Sequence, residues 1–396
     1  MPIPSPFHPR TLERCVSLRW KDWAGYYAVS SFDTYHEREY YAFRHTAGLI
    51  DVTPLYKYEV TGPDAPAFLA RVMVKNVGRM KIGVVTYTCW CDDEGKVIDD
   101  GTVWRLGKHH FRVTAAEPTL AWLRRNTRGF DVQVEDSTER IAALSLQGPT
   151  SRAILRDAGV SDIDSLKYFR LRDVDFDGFR GTVTRTGYSG DLGFEVWVDN
   201  ADALRLWDVL EDAGRAHGML PAGLDAYDMV RVEAGYVMNG VDYYSANHCL
   251  IDSRKSTPYE LDLGWTVKLD RDPFNGQAAL RAEKERGPER RFVGLELDWD
   301  ETERLFAAWG LPPEIPSAAW RESRPLYDKA GRQIGYASSG SWSPLLKKNL
   351  ALATVNSPAG DLGDELMMEL TVEHERKRVP AIVREKPFFD PERKRT

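Results

Sequence analysis

Cysteine is scarce in this chain. Its 396 residues hold four, Cys15, Cys89, Cys91 and Cys249, and no C-x-x-C pair. Cys89 and Cys91 fall two apart on one expected strand, on the same face, where a disulfide has poor geometry. The four read as reduced thiols in a cytoplasmic protein. The eight histidines are scattered, with His109-His110 near a turn and His248 beside Cys249. None has metal-ligand spacing, and no metal site is expected. Positive charge is not in excess either, since the formal net charge is −7. That argues against a general nucleic-acid binder, which needs a basic face, and leaves room for a small anionic ligand held by one or two Arg. MPIPSPFHPR contains no apolar signal region, and no apolar run approaches the length of a membrane span. Common catalytic fingerprints are missing too. No Walker loop, G-x-S-x-G or H-E-x-x-H occurs, and DDEG is too short for a calcium loop. Gly187, Gly190 and Gly193 in TGYSGDLGFE have the wrong spacing for a dinucleotide fingerprint, and a strand follows them.

What is present is a well-packed composition, 42% hydrophobic and 11% aromatic. The length is too great for one ordinary core, so two or three domains are expected. Residues 34–47 read as a helix, followed by GLIDV and the strand KYEVTG. Gly62-Pro63-Asp64 opens a second helix, with Pro66 just inside its start. Strands follow from 83 to 113, and 117–127 looks helical. AALSLQGPTSRAIL is a strand, a Gly-Pro turn and a helix start. Residues 179–198 form a hairpin with a Gly-rich connection. Asn200 is placed to cap the next helix, which Gly218 ends. Another helix covers 224–236. Without strict βαβ alternation, the fold class is α+β. RAEKERGPERR, 281–291, reads as a linker, and short strands after it suggest a small β-barrel. The aromatics of WKDWAGYY, 20–27, are expected in the core.

Four features carry chemistry. The hairpin CDDEGKVIDDGTVWRL places Asp99 and Asp100 side by side on a strand. Because side chains alternate, one of them must face the apolar side. The bland reading is a solvated edge or bulge. Glu195 stands between Phe194 and Val196, where a carboxylate is costly without a donor; a salt bridge to Arg185 would satisfy it. Arg231 lies one turn after Tyr227 on a helix, where pairing with Glu233 or Asp228 would be ordinary. Tyr87, Trp90, Trp104, Tyr188, Tyr236 and Trp265 are core residues or aromatic walls. Together, carboxylates, an Arg and aromatic walls suit a planar heterocycle with amide-like edges, such as a pterin.

The stretches HTAGLIDVT, VTGPDAPAFL, YTCWCDDEGKVIDDGTVW, LSLQGPTSRAIL, RTGYSGDLGFEVWV, PAGLDAYDMVRVEAGY, TPYELDLGWTVKLD and SSGSWSPLLKKNLALATV occur in this order. In them the chain resembles the T-protein (aminomethyltransferase) family of the glycine cleavage system, from about residue 20 to about 389. The resemblance implies a three-domain cloverleaf around a central folate channel, ending in a small β-barrel. It places a folate-binding region at 1–285, built of two interleaved α+β domains (about 1–50 with 140–285, and about 51–139), and the barrel at 286–396. It implies tetrahydrofolate as cofactor and Asp100 as the inward carboxylate beside the reacting part of the folate. By the same resemblance Glu195 binds the pterin, Arg231 matches a folate-contacting position, and Tyr87, Tyr188 and Trp265 match wall positions.

Departures cluster on the substrate side. Pro54-Leu55-Tyr56 stands where the family has His-Met-Gly, Thr114 where an Asn is expected, Trp104 for a Tyr, and Asp390 for an Arg that helps hold the folate tail. They resemble those of tetrahydrofolate-dependent demethylases. The expected function is transfer of a methyl group from a small O-, N- or S-methylated substrate, an aromatic methoxy compound favoured, to give 5-methyltetrahydrofolate. Asp100 and Tyr56 are the expected catalytic residues. The expected partner is that small substrate, with no nucleic acid and no membrane. The alternatives are an aminomethyltransferase acting with a lipoylated partner protein, a folate-binding protein without transfer chemistry, and a partner subunit of a larger dehydrogenase.

Overall fold

A computed structural model describes all 396 residues. Three sheets organise them. The first has five strands in the order Val85–Cys91, Val97–Arg105, His110–Ala115, Tyr56–Thr61, Gln133–Asp136. The second has six, in the order Leu171–Asp175, Arg180–Thr184, Gly193–Asp199, Ile141–Gln147, Gly48–Asp51, Leu220–Pro221. The third is a closed six-stranded barrel running from Arg290–Leu297 to Glu375–Arg384. The fold is α+β with a C-terminal barrel, as the sequence indicates. No helix is long and apolar enough to cross a membrane.

Period-two alternation divides each of the first two sheets into two faces. On the first, Tyr58, Val60, Val103, Phe111 and Val113 face the helix Ala65–Val72 in one core. On the second, Leu144, Leu146, Phe194, Val196 and Val198 face the helix Ala203–Arg215 in another. The remaining two faces meet each other. Trp104 of the first sheet packs edge-on to Trp197 of the second, with ring centroids 4.8 Å apart. Ile50, Ala143 and Val85 complete this inter-sheet core, joined by Tyr227 and Val230.

Those last two come from the helix Leu224–Ala234, which is buried on every side from Asp225 onward. A helix so enclosed must neutralise each charge it carries. Asp225 pairs with Lys21 at 2.5 Å. Glu233 pairs with Arg44 at 2.5 Å and also accepts from the hydroxyls of Tyr40 and Ser343. Ser343 belongs to the barrel strand Gln333–Ser343, so this central helix ties the barrel to the sheets. Gly235, in the left-handed region at φ +68°, ends it.

Three local expectations are corrected. The charged run 281–291 is no linker: Gln277–Arg286 is a helix, because Leu280 and Glu283 share a face and are buried. Leu280 enters the core with Cys89 and Cys91, and Glu283 accepts from the Thr257 hydroxyl at 2.6 Å. Asn200 caps nothing. Asp199 accepts from the Ala201 N–H at a preceding 3₁₀ turn, while the Asn200 amide donates to the Glu139 carbonyl. WKDWAGYY forms a hairpin, Arg19–Trp23 with Tyr26–Ser31, in which Tyr26 is buried but Tyr27 is exposed and Trp20 and Trp23 are half-buried.

Candidate functional site

The strand Val97–Arg105 sends Asp99 and Asp100 to opposite faces of the first sheet. Asp99 is fully buried on the face packed against the helix Ala65–Val72. It accepts from the backbone N–H groups of Asp100, Ala116 and Glu117 and from the Asn239 amide, at 2.9–3.1 Å. It is a structural carboxylate that fastens the loop after His110–Ala115. Asp100 shares its face with Thr102 and Trp104, toward the second sheet. Its Oδ2 accepts from the Tyr87 phenol at 2.8 Å, and its Oδ1 accepts from the Tyr243 phenol. Each oxygen thus has one phenol donor. Burial raises the carboxyl above its ordinary range, and the Tyr243 and Tyr87 hydrogen bonds act against that.

Beyond Asp100, Thr102 and Thr114 face each other across neighbouring strands, with their hydroxyls 2.7 Å apart. The Trp104 indole donates to the Thr102 hydroxyl at 2.8 Å. Thr114 therefore lies on the Asp100 face, as expected, although its hydroxyl is engaged within the sheet.

Glu195 comes from the facing sheet, on the same side of its strand as Trp197. Its Oε2 accepts from Thr186 at 2.7 Å and Thr184 at 3.3 Å, whereas its Oε1 has no partner within the protein. No cation balances it. The expected bridge to Arg185 does not form, since that guanidinium donates to the backbone carbonyls of Leu166, Lys394 and Thr396. Burial pushes the Glu195 carboxyl up, and the two threonines pull it down. A half-buried carboxylate with one free oxygen and only hydroxyl partners is poised to accept N–H groups from a ligand.

The Gly-x-x-Gly-x-x-Gly run positions this residue. A Cβ at Gly187 or at Gly193 would lie 2.0 Å from Gln147 Oε1. Gln147 threads between the two glycines and donates to the Thr186 and Phe194 carbonyls at 3.2 and 3.3 Å. The glycines therefore serve packing rather than phosphate binding. Their loop sets Tyr188, whose ring stacks on Tyr236 with centroids 5.5 Å apart and whose hydroxyl donates to the Val237 carbonyl at 2.5 Å. Tyr188 also packs near Tyr227. Burial and then the Glu195 charge raise the Tyr227 phenol pKa, which ties Tyr227 to the carboxylate. Tyr87, which holds Asp100, stacks on the exposed Trp265, with centroids 6.0 Å apart.

Two expected site residues stand elsewhere. Tyr56 pairs with Ala115 and shares a face with Tyr58, whose ring is parallel to it at 6.5 Å. It packs against the core under the helix Ala65–Val72, on the face opposite Asp100. Strand alternation places it there, and the catalytic role is withdrawn. Arg231 is fully buried. It donates to Asp228 at 2.6 and 2.9 Å, to Asp242 at 2.9 Å and to Ser339 at 3.1 Å. With its charge met twice within the protein, it is a strut between the central helix and the barrel rather than a surface that greets a ligand. Asp228 also accepts from Arg321 at 2.7 Å. Although burial opposes it, the two guanidinium groups hold this carboxyl below its ordinary range. Trp90 is likewise core, donating to Thr119 at 3.1 Å.

Tyr243 and Tyr227 join the site without having been singled out. For Tyr243 the available signal is the DYY triplet soon after the central helix.

Comparison with known proteins identifies this architecture. Residues 15–271 match the GCVT N-terminal domain, and residues 290–390 match the glycine cleavage T-protein C-terminal barrel domain. The chain belongs to the aminomethyltransferase (glycine cleavage T-protein) family. Within that family it is 31% identical to the aminomethyltransferase of Bacillus subtilis, over 89% of this chain and 90% of that one. It is 34% identical to that of Halothermothrix orenii, over 83% and 85%. The crystal structure of the glycine cleavage system aminomethyltransferase T of Bartonella henselae superposes with a TM-score of 0.83. It covers 98% of this chain and 99% of its own at 24% identity, which speaks to the fold. The protein is thus a transferase of the aminomethyltransferase family. These relatives favour aminomethyl transfer over the demethylation expected from the departures in sequence.

Proposed function

We propose that this protein transfers a one-carbon group to tetrahydrofolate at the space between Asp100 and Glu195. The observation that carries the reading is the pair of carboxylates facing one inter-sheet space. Glu195 has a free oxygen, and Asp100 is held by Tyr87 and Tyr243. A pterin offers N–H groups along its edge, which suits the free Oε1 of Glu195. Its flat ring suits Tyr188, and the more distal part of the molecule suits Tyr87 and Trp265. When bound, tetrahydrofolate supplies the nitrogen nucleophile that accepts the one-carbon unit.

The work of this chain is then positional and electrostatic. Holding donor and acceptor together removes much of the entropic barrier. Asp100 is fixed by two phenols, costs no reorganisation during reaction and stabilises positive charge that develops nearby. The sheets packed on both sides exclude water and strengthen that effect.

The donor proposed first is an aminomethyl group on a lipoylated carrier protein, as the named activity of the relatives suggests. A second reading is demethylation of a small methylated compound in the cytoplasm. It is favoured by the departures at Trp104 and Thr114, which lie on the Asp100 face, although Tyr56, another of those departures, faces away. One assay separates the two. Protein and tetrahydrofolate are incubated with an aminomethylated lipoyl protein, and separately with methoxybenzoates, methylated amines and sulfonium compounds. Folate products are followed by mass spectrometry, with Asp100→Asn alongside. Formation of 5,10-methylenetetrahydrofolate from the carrier, reduced about 10²-fold or more in Asp100→Asn, is the expected result. Formation of 5-methyltetrahydrofolate from a small donor instead would establish the demethylase. No product from any donor would overturn both.

A further inference from the structure

The chain leaves the last barrel strand at Arg384 and comes back to the aromatic wall of the site. Its first tie is to the central helix. The Phe389 N–H donates to the Glu233 carbonyl at 3.0 Å, and the Arg44 guanidinium lies 4.2 Å from the centre of the Phe389 ring. Arg44 also donates to the Ser189 carbonyl at 3.0 Å, next to Tyr188. A Cβ at Gly190 would lie 2.7 Å from the Ala234 Cβ and 3.5 Å from the Phe389 carbonyl oxygen. The glycine-rich loop is therefore pressed between the end of the helix and the returning segment.

Two further ties reach the wall from the polar run that follows Phe389, DPERKRT. Arg393 donates to both oxygens of Asp191, at 2.7 and 2.8 Å. The Asp191 side chain is fully buried, three residues after Tyr188. Lys394, itself buried, places its ammonium 5.3 Å from the centre of the Tyr236 ring, and Tyr236 stacks on Tyr188. Asp390 pairs with this lysine at 3.4 Å and with Arg395 at 2.7 Å. At the end of the run, Arg185 and Arg152 both donate to the Thr396 carbonyl. No large apolar side chain follows Phe389, so charge and hydrogen bonds hold the run in place. A segment held in that way opens at lower cost than a packed core.

We propose that residues 389–396 are a clasp that sets the Tyr188–Tyr236 wall for its ligand, with Arg393 and Lys394 as positioning residues. This rests on the folate reading above and adds to it the element that holds the wall. Arg393 acts on the Tyr188 loop through Asp191, and Lys394 acts on Tyr188 through Tyr236. A wall fixed beforehand reduces the entropy lost when a ligand orders the two rings. Such coupling is reciprocal, so a clasp that favours ligand binding is itself stabilised by the ligand.

Hydrogen exchange of the wild-type protein, with and without tetrahydrofolate, reads this coupling without any substitution. Exchange across 389–396 should slow by about tenfold when tetrahydrofolate binds. Titration calorimetry of Arg393→Gln and Lys394→Met reads it a second way. The Kd for tetrahydrofolate should rise about tenfold in each, with the binding stoichiometry of the wild type. A merely structural role would do the reverse, lowering the stoichiometry through misfolded protein and leaving Kd unchanged. That outcome overturns the clasp, as does exchange at 389–396 that bound tetrahydrofolate leaves unaltered. Failure of the wild type to bind tetrahydrofolate overturns the folate reading, and the role of the clasp with it.

Discussion

The phenol of Tyr243 donates to the Asp100 oxygen opposite the one that Tyr87 holds. The two tyrosines come from segments far apart in the chain, yet they grip one carboxylate. Each hydrogen bond favours its charged form. In Tyr243→Phe one of these is lost, so the Asp100 carboxyl pKa rises. If the ionised form is active, the acidic limb of the kcat/KM profile moves to higher pH by about one unit, and activity at neutral pH falls less than in Asp100→Asn. An unchanged limb would show that Asp100 does not govern it.

Glu195 offers one free oxygen as an acceptor. Glu195→Gln keeps the shape but removes the charge and turns one acceptor into a donor. Tetrahydrofolate should bind about 10- to 100-fold more weakly, with the fold intact because no cation loses its partner. Titration calorimetry and a melting curve read the two effects separately.

Lys57 is buried without a carboxylate partner. It donates to the Thr53 carbonyl at 2.6 Å, and its ammonium lies 5.8 Å from the centre of the Trp197 ring. Burial pushes its pKa down to about 7. The unfolded chain therefore holds this proton more tightly than the folded one. Its contribution to stability rises as pH increases from about 7 toward the unfolded value of about 10.4. Lys57→Met should flatten that rise and stabilise the protein at neutral pH by roughly 1–3 kcal/mol. Urea unfolding at pH 7 and pH 9 checks both points.

Tyr56→Phe should leave catalysis unchanged and alter stability by less than about 0.5 kcal/mol, because the Tyr56 hydroxyl has no hydrogen-bond partner and points away from Asp100. A loss of kcat comparable to that of Asp100→Asn would restore the role first expected for it.

The outline of this site was legible in local pattern. Asp99 and Asp100, adjacent on a strand, had to take opposite faces, and the family resemblance chose between them. Glu195 stood out as a carboxylate between two apolar neighbours. What stayed hidden was pairing at long range. Arg231 has partners on its own helix, in the following loop and in the barrel, and only their convergence shows that its charge is spent internally. Tyr56 was misplaced by one step of alternation, where a departure from the family pattern outweighed the parity of its own strand. The helix Gln277–Arg286 was masked by charge, since two buried positions, Leu280 and Glu283, suffice to anchor it.

Gln147, wedged between Gly187 and Gly193, acts like a hinge pin. It holds the approach to Tyr188 and the start of the Glu195 strand at a common spacing. The aromatic wall and the acceptor oxygen are therefore not two independently adjustable parts. A side chain added at either glycine would meet Gln147 and push both out of register together.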